Sequence, residues 1–122
     1  MEGLNQTNKA DGGKSNPLLL EVDLAEALIA VNRVMDYGAE KYERAGWMKV
    51  EPTRYDAASR RHRRDRDRGD THDPESGLLH LAHEATNILF QLQMFIKNNP
   101  AVIWYDYRKP PRDHKKNGSN PN

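Results

Sequence analysis

The stretch DPESGLLHLAHEATNILFQLQMFIK, residues 73–97, decides the fold. Asp73 is a favourable N-cap, and Pro74 suits the first position of a helix, where its missing N–H costs little. Glu75 places a negative charge near the positive end of the helix dipole. Apolar residues then recur three or four positions apart up to Lys97, and the following Asn-Asn-Pro stops the pattern. The sequence therefore predicts a long helix, capped by Asp73 and ending at Lys97.

The predicted helix carries a polar stripe beside an apolar seam. At about 100° per residue, the polar stripe falls within one arc of about 100° and contains His80, His83, Glu84 and Asn87. The apolar seam occupies a different sector and contains Leu78, Leu81, Ala85, Ile88, Leu89, Leu92 and Ile96. Acids and a further histidine lie upstream: Asp70, Asp73, Glu75 and His62. The spacing fits either a metal site or a capped helix with a hydrated polar face, and it does not choose between them.

Two more helices are predicted upstream. Asp23 and Glu26 have the spacing of a capping box, and apolar residues follow at helical spacing up to about Glu43. Residues 44–53 contain a glycine and a proline and are predicted to form a loop. A second helix follows this loop and is ended by Gly69.

Strand signals are almost absent, apart from the short run AVIWYDY at residues 101–107. We therefore predict an all-α fold with three main helices. Residues 1–16 are predicted to be a flexible N-terminal segment, residues 17–107 the folded domain, and residues 108–122 a disordered tail. The mean hydropathy is −0.98, and about 80 helical residues form only a small core, which indicates an oligomer that buries helix faces between chains.

The composition limits the possible functions. The chain has 122 residues, enough for one domain, and no cysteine, which excludes disulfides and thiolate zinc sites. A metal would be held by carboxylate, imidazole, carbonyl or water ligands, which suits Mg²⁺ or Mn²⁺. No apolar run approaches the roughly 18 residues of a membrane span, and the N-terminus lacks the apolar region of a signal peptide. We therefore expect a soluble, intracellular protein.

Six of the nine residues from 60 to 68 are arginines. This run is open to three interpretations: a solvated helix face whose charge Asp65 and Asp67 offset, a clamp in which arginines such as Arg61 bind a nucleotide phosphate, or a helix that binds nucleic acid. The alternative function is thus a small basic helical nucleic-acid-binding protein. However, the net charge is only +1, and the acids of residues 65–75 would repel phosphate, so we do not expect a nucleic-acid partner.

Candidate nucleotide contacts lie in two further stretches. In GAEKYERAGW, Lys41 can reach a phosphate, and the rings of Tyr42 and Trp47 can either stack on a base or close the core. Glu40 and Glu43 form an E-x-x-E pair on one helix face and are candidate metal ligands. The glycine-rich stretch NKADGGKSN adds three residues that can wrap an anion: Lys9, Asp11 and Lys14.

Taken in order, five motifs resemble the phage dATP/dGTP diphosphohydrolases, the MazZ-like group of the MazG-like all-α nucleotide pyrophosphohydrolases. They are KADGGK, GAEKY followed by GW, YDAASRRH, GDTHDPESG and HLAHEATN. The resemblance runs from about Lys9 to Leu92. It implies a helical bundle of three to four main helices that is completed by assembly into a homodimer or homotetramer.

The resemblance also implies an activity. Such enzymes use Mg²⁺ or Mn²⁺ to hydrolyse a purine deoxynucleoside triphosphate, dGTP or dATP, to the monophosphate and pyrophosphate. In phages that replace adenine by 2-aminoadenine, this reaction supplies dGMP as a precursor, in the cytoplasm of the host cell.

This sequence departs from the family pattern at several positions. Gly46-Trp47 stands where relatives often have Asn-Trp, and Gly69-Asp70 where they have Gly-Glu. The E-x-x-E and E-x-x-D metal motifs of MazG-like enzymes have no obvious counterpart. The possible counterparts are Asp70-x-x-Asp73, Glu84-x-x-Asn87 and Glu40-x-x-Glu43.

We assign three groups of candidate site residues on this basis. The metal ligands are Asp70, Asp73, His62, His80, Glu40 and Glu43. The acids that orient the attacking water are Glu75 and Glu84. The residues that bind the substrate are Lys9, Asp11, Lys14, Lys41, Tyr42, Trp47, Arg61, His83 and Asn87.

Overall fold

The computed structural model describes residues 14–41 and 43–101. Its elements are the short helix α1 (Leu18–Glu21), the long helices α2 (Ala25–Lys41), α3 (Pro52–Asp67) and α4 (His80–Asn98), and a 3₁₀ helix between α2 and α3 (Gly46–Lys49). Over the described ranges the fold is all-α, as predicted, and its β-type pairing is one isolated bridge between His72 and Leu79. No helix in this part of the chain is long and apolar enough to span a membrane.

Much of the predicted N-terminal segment and the whole predicted tail lie outside the described residues. Residues 1–13 and 102–122 are not described, so the run at 101–107 and the tail at 108–122 remain predictions.

The start of the first long helix differs from the prediction. A short helix precedes it, in which the Asn16 side chain accepts a hydrogen bond from the Leu18 N–H at 3.1 Å. Backbone hydrogen bonds continue across the junction, from the Asp23 N–H to the Leu18 carbonyl at 3.1 Å. Asp23 therefore lies in a turn between α1 and α2, and α2 runs from Ala25 to Lys41 rather than to Glu43.

The C-terminus of α3 ends at a glycine, as predicted. Gly69 has a φ of +102°, which glycine adopts without steric cost. Its N–H bonds to the Arg66 carbonyl at 3.0 Å, and the Asp70 N–H reaches back to the Asp65 carbonyl at 3.1 Å. These two bonds form a Schellman motif, which satisfies carbonyl groups that the end of a helix would otherwise leave unpaired.

The predicted start of the last helix is wrong. Asp73 caps a single turn, because its carboxylate accepts a hydrogen bond from the Ser76 N–H at 2.8 Å. Gly77 then takes a φ of +76° and breaks the turn. The Asp73 N–H bonds to the Leu78 carbonyl at 2.7 Å, which folds residues 73–78 into a tight loop. The helix α4 begins only at His80, so the capping residue predicted from sequence instead shapes the loop before the helix.

The buried face of α4 is mainly polar. It packs chiefly against α3 and also against α2. His80 and Thr86 are each only 1% exposed, and His83 is also buried. Ser59 on α3 is buried as well, and its hydroxyl donates to the Glu84 carbonyl at 3.2 Å. In the described part of the chain, every buried side-chain nitrogen or oxygen has a hydrogen-bond partner, which is what makes a polar core tolerable.

Much of the predicted apolar seam of α4 lies on the outside. Leu92 is 52% exposed, and three other seam residues, Leu81, Ile88 and Leu89, are also exposed, as is the neighbouring Phe95. The other three seam residues are half-buried: Leu78, Ala85 and Ile96. On α2, Val34 is buried, whereas Leu24 just before the helix and Met35 are exposed. A single chain therefore encloses the polar stripe and leaves much of the apolar seam uncovered, the reverse of the arrangement expected for an isolated amphipathic helix.

Candidate metal and nucleotide site

Three histidines meet where α3 crosses the start of α4. His62 comes from α3, and His80 and His83 come from the first turn of α4, three residues apart. The Nδ1 atoms of His62 and His80 lie 2.8 Å apart, so one of them donates a proton to the other. The ring of His62 also stacks on His83, with the centroids 4.4 Å apart and the planes at 6°. The polar stripe predicted on α4 is therefore a packed imidazole cluster rather than a hydrated surface.

Asp73 brings a carboxylate to this cluster. One ligand atom from each of His62, Asp73 and His80 lies within 4.8 Å of the others. A carboxylate oxygen of Asp73 is also 4.0 Å from His83 Nε2, and the Ser76 hydroxyl is 2.7 Å from the same nitrogen. The loop of residues 73–78 thus places an acid and a hydroxyl against the histidines. Two imidazoles and a carboxylate are a donor set that fits a divalent ion.

The protonation states of these residues suit metal binding. Burial lowers the pKa of His62, and burial together with the neighbouring His62 lowers the pKa of His83. Burial alone would raise the pKa of Asp73, but the hydrogen bonds from Ser76 outweigh it, so the net shift is downward. At neutral pH the rings of His62 and His83 are therefore neutral and Asp73 is ionised, and for His62 and Asp73 these are the forms that bind a metal.

A cavity of about 540 Å³ opens next to the cluster, between α2, the 3₁₀ helix and α4. Trp47 stacks on Phe90, with ring centroids 4.3 Å apart and an interplanar angle of 10°. Tyr55 meets Phe90 edge-on at 5.0 Å, and its hydroxyl donates to the Trp47 carbonyl at 2.8 Å. These rings form an aromatic wall. His83 lines the cavity as well, so the same residue belongs to the cavity and to the histidine cluster.

A charged pair lies at the cavity. Lys41 lines it, and its ammonium is 3.1 Å from the carboxylate of Glu75 in the loop of residues 73–78. The same ammonium lies over the ring of Tyr37, 4.7 Å from its centroid. The pair therefore connects the end of α2 to the loop that carries Asp73.

Glu84 forms an ion pair with Arg66. It is 12% exposed, and its carboxylate accepts hydrogen bonds from Arg66 Nε at 3.2 Å and Nη2 at 3.0 Å. Arg63 lies 3.9 Å away on the other oxygen. This ion pair joins α3 to α4, which gives Glu84 a structural role.

Most of the predicted arginine run is neutralised by acids. Four of its six members form ion pairs: Arg60 with Asp56, Arg63 with Asp67, Arg64 with Asp65, and Arg66 with Glu84. The remaining two, Arg61 and Arg68, are exposed and form no ion pair with any described residue. The run is therefore mainly a salt-bridged helix face.

Several predicted metal ligands lie away from the histidine cluster. Asp70 is exposed and outside the group formed by His62, Asp73 and His80. Glu40 is exposed. Glu43 lines the cavity and forms an exposed ion pair with Lys49 at 3.0 Å.

The other predicted substrate residues have varied placements. Trp47, Lys41 and His83 all line the cavity. Asn87 is half-buried on α4, and its backbone carbonyl accepts a hydrogen bond from Gln91 at 3.2 Å. Lys14 is exposed at the start of the described range. The remaining three, Lys9, Asp11 and Tyr42, lie outside the described residues.

Sequence reasoning missed four residues of the site. Tyr37, Tyr55 and Phe90 line the cavity, and Ser76 contacts His83. Tyr37 precedes Lys41 by four residues, which places both on one helix face. This spacing could have identified Tyr37 as a neighbour of Lys41 from the sequence alone. The roles of the other three depend on how helices and loops pack, and no local pattern reveals them.

The fold and the site together define a small all-α domain with a candidate metal cluster beside an aromatic cavity. The chain belongs to the family described as dATP/dGTP diphosphohydrolase, N-terminal, which matches residues 4–101. It is similar to a curated dATP/dGTP diphosphohydrolase of Salmonella phage PMBT28, with 34% identity over 92 residues. That match covers 75% of this chain and 30% of the relative, so this chain spans less than a third of the relative's length. No solved structure matches the chain.

Proposed function

We propose that this chain hydrolyses purine deoxynucleoside triphosphates, dGTP and dATP, to the monophosphate and pyrophosphate with the help of a divalent ion. The observation that carries the proposal is the position of His83. It lines the aromatic cavity and stacks on His62 of the candidate metal group, so a nucleotide in the cavity would lie next to the ion. The family to which the chain belongs supports the same reaction.

His62, Asp73 and His80 are the residues that would hold the ion. When bound, a divalent ion neutralises phosphate charge and lowers the pKa of a water ligand. Mg²⁺ and Mn²⁺ are the candidates, and the donor set favours Mn²⁺, because imidazole nitrogen suits a transition ion better than it suits Mg²⁺. Asp70, Glu40 and Glu43 are candidate ligands for a further ion.

The aromatic wall is proposed to hold the base. A cavity of 540 Å³ lies within the range of about 300–1,000 Å³ that is usual for small-molecule sites. The rings of Trp47, Phe90 and Tyr55 offer faces and edges against which a purine can stack. Lys41 is positioned to bind a phosphate at the same cavity. Further substrate contacts are proposed for Lys9, Asp11, Lys14, Tyr42, Arg61 and Asn87.

Of the two acids proposed to orient water, Glu75 has the more suitable position. Its partner Lys41 lines the cavity, and its loop carries Asp73. Glu84 is engaged with Arg66 and would first have to exchange that partner. We therefore assign the water-orienting role to Glu75 and a helix-joining role to Glu84.

A homodimer or homotetramer is proposed as the active form. The apolar residues of α4 follow one another at steps of four, three, four and three positions: Leu81, Ala85, Ile88, Leu92 and Phe95. This is the spacing of a helix seam that pairs with another helix. The seam is largely exposed in the single chain, and a second copy of α4 would cover it.

The proposed biological role is in phage nucleotide metabolism, where the reaction would supply dGMP for 2-aminoadenine synthesis in the host cytoplasm.

Product analysis tests the proposed reaction. The protein is incubated with dGTP or dATP and with Mn²⁺ or Mg²⁺, and the products are separated by anion-exchange chromatography. The expected result is the monophosphate from the first time point, together with pyrophosphate. Accumulation of the diphosphate and free phosphate would show that a different bond is cut, and no turnover with either purine would refute the proposal.

A further inference from the structure

Tyr37 occupies a central position that the proposed reaction does not yet use. It lies on α2, half-buried, and lines the cavity. Its ring meets the ring of His83 edge-on, with the centroids 6.1 Å apart and the planes at 88°. The ammonium of Lys41 lies over the same ring, 4.7 Å from the centroid. One side chain therefore contacts both the histidine cluster and the candidate phosphate-binding lysine.

The hydroxyl of Tyr37 reaches the charged pair as well. It interacts with the Lys41 ammonium and with the Glu75 carboxylate, which are 3.1 Å apart. The interactions with Tyr37 and with Glu75 raise the pKa of Lys41, so its ammonium is charged at neutral pH. The ring of Tyr37, the Lys41 ammonium and the Glu75 carboxylate therefore lie together in one group of side chains.

An ion pair this exposed does not fix its own geometry. The side chains of Lys41 and Glu75 are 45% and 71% exposed. Exposed pairs of long side chains contribute little to stability, and side-chain entropy opposes a single arrangement. The Lys49–Glu43 pair is 3.0 Å long and its lysine is more exposed, and no aromatic ring of the described residues lies under its ammonium. Tyr37 is what distinguishes the Lys41–Glu75 pair from it, because a half-buried ring cannot move as freely as either charged chain.

We propose that Tyr37 is a positioning residue, which holds the Lys41 ammonium ready for a triphosphate while its ring supports His83 from the cavity side. This inference rests on the proposed function for the identity of its ligand, a metal-bound triphosphate. The anion exchanges with Glu75 as the partner of Lys41, and Tyr37 keeps the ammonium in place during that exchange. Glu75 is then released beside the loop that carries Asp73.

The test measures the affinity of the intact chain for inorganic triphosphate in the presence of Mn²⁺ by calorimetry. Tyr37→Phe keeps the ring and removes the hydroxyl, so affinity should fall about 10-fold or more, the usual effect of one hydrogen bond to a charged group. Tyr37→Leu also removes the ring and should fall further. Lys41→Met removes the ammonium itself. If Tyr37 acts through Lys41, the hydroxyl no longer matters once Lys41 is gone, and the variant with both Tyr37→Phe and Lys41→Met should bind as Lys41→Met does.

Lys49→Met provides the control, because it removes an ammonium from an ion pair of nearly the same length that is at least as exposed. It should leave triphosphate affinity unchanged, and its combination with Tyr37→Phe should show only the Tyr37→Phe effect. The inference is overturned if Tyr37→Phe binds like the parent chain, if the losses from Tyr37→Phe and Lys41→Met simply add, or if the parent chain does not bind triphosphate.

Turnover of dGTP and dATP by the same proteins separates this inference from the proposed function. A parent chain that binds triphosphate with the expected coupling but hydrolyses neither nucleotide refutes the function and leaves the positioning role of Tyr37 in place. With active protein, Tyr37→Phe should raise KM more than it lowers kcat, because the hydroxyl prepares binding. A purely structural role would instead lower the melting temperature and leave both kinetic constants unchanged.

Discussion

The two faces of α4 differ in a way that polarity alone does not predict. The face toward α3 is polar and buried, with His80, His83 and Thr86 inside. The opposite face is apolar and exposed, with Leu81, Ile88, Leu92 and Phe95 outside, among others. Burying the polar face is acceptable because each buried polar atom in the described chain has a partner. The comparison shows that the chain encloses the candidate histidine cluster and leaves much of the apolar face of α4 exposed.

The largest effect is expected from a charge in the exposed seam. Leu92→Glu should convert the proposed oligomer into monomers. Each copy loses the burial of one leucine, worth about 1.5–3 kcal/mol, so a two-fold interface weakens by about 10²–10⁴-fold in dissociation constant. Sedimentation velocity over a concentration series measures this. Gln93→Glu, an exposed neighbour outside the seam, should keep the assembly. A parent chain that is already monomeric, or a Leu92→Glu protein that assembles normally, would show that the seam is not an interface.

The polar face should show the next largest effect. Asp73→Asn should lower turnover at least about 100-fold, because a lost metal ligand misplaces the ion. The amide oxygen of asparagine can still accept the hydrogen bond from the Ser76 N–H, so the melting temperature without metal should barely change. Activity is measured with dGTP and Mn²⁺ at saturating metal. Asp70→Asn is the matched comparison, since Asp70 precedes Asp73 by three residues but lies outside the ligand group, and its effect should be much smaller. Equal losses of turnover in both variants would show that Asp70 is as important for metal binding as Asp73.

The sequence predicts the helices better than the geometry between them. The apolar period of α4 and the glycine at position 69 are local signals, and both correspond to the structure. The predicted start of α4 was wrong because the pair Asp73-Pro74 suits the first turn of a helix and an isolated turn equally well. What decides between them is the left-handed conformation of Gly77 and the pairing of Asp73 with Leu78.

The site was partly predictable for the same reason. Residue types pointed to His62, Asp73 and His80, which do come together. Asp70-x-x-Asp73 was named as a possible counterpart of the family's metal motif, but i, i+3 spacing brings two side chains to one face only within a helix, and both residues lie in the loop between α3 and α4. Glu84 shares an arc with the histidines, yet the sequence gives no indication that Arg66 reaches it. Contacts between distant segments follow from packing, which a single sequence does not encode locally.

The ion pair between α3 and α4 should matter for stability more than for catalysis. Glu84→Gln leaves Arg66 without its charged partner in a partly buried position, which should cost about 1–3 kcal/mol in the free energy of unfolding. Urea denaturation of the metal-free protein measures this. A double-mutant cycle with Arg66→Met isolates the pairwise energy. Arg60→Met breaks the exposed pair with Asp56 and should change stability by less than about 1 kcal/mol. If Glu84→Gln abolishes turnover while stability is unchanged, Glu84 belongs to the reaction instead.

The smallest effects are expected at two glycines, Gly77 in the loop of residues 73–78 and Gly38 in α2. Gly77→Ala forces an alanine into a φ of +76°, which should destabilise the protein by about 1–2 kcal/mol, although open space surrounds the site. Gly38→Ala, inside α2 and also with nothing within 4 Å, should stabilise it by about 0.5–1 kcal/mol, since alanine is the better helix former. Thermal melting of both variants measures these opposite changes in stability.

Because Gly77 shapes the loop that brings Asp73 to His62, its replacement should also weaken Mn²⁺ binding. Gly77→Asn, which tolerates the left-handed conformation better, should recover part of both losses. A Gly77→Ala protein as stable as the parent, with the same Mn²⁺ affinity, would mean that the loop does not depend on this glycine to present Asp73.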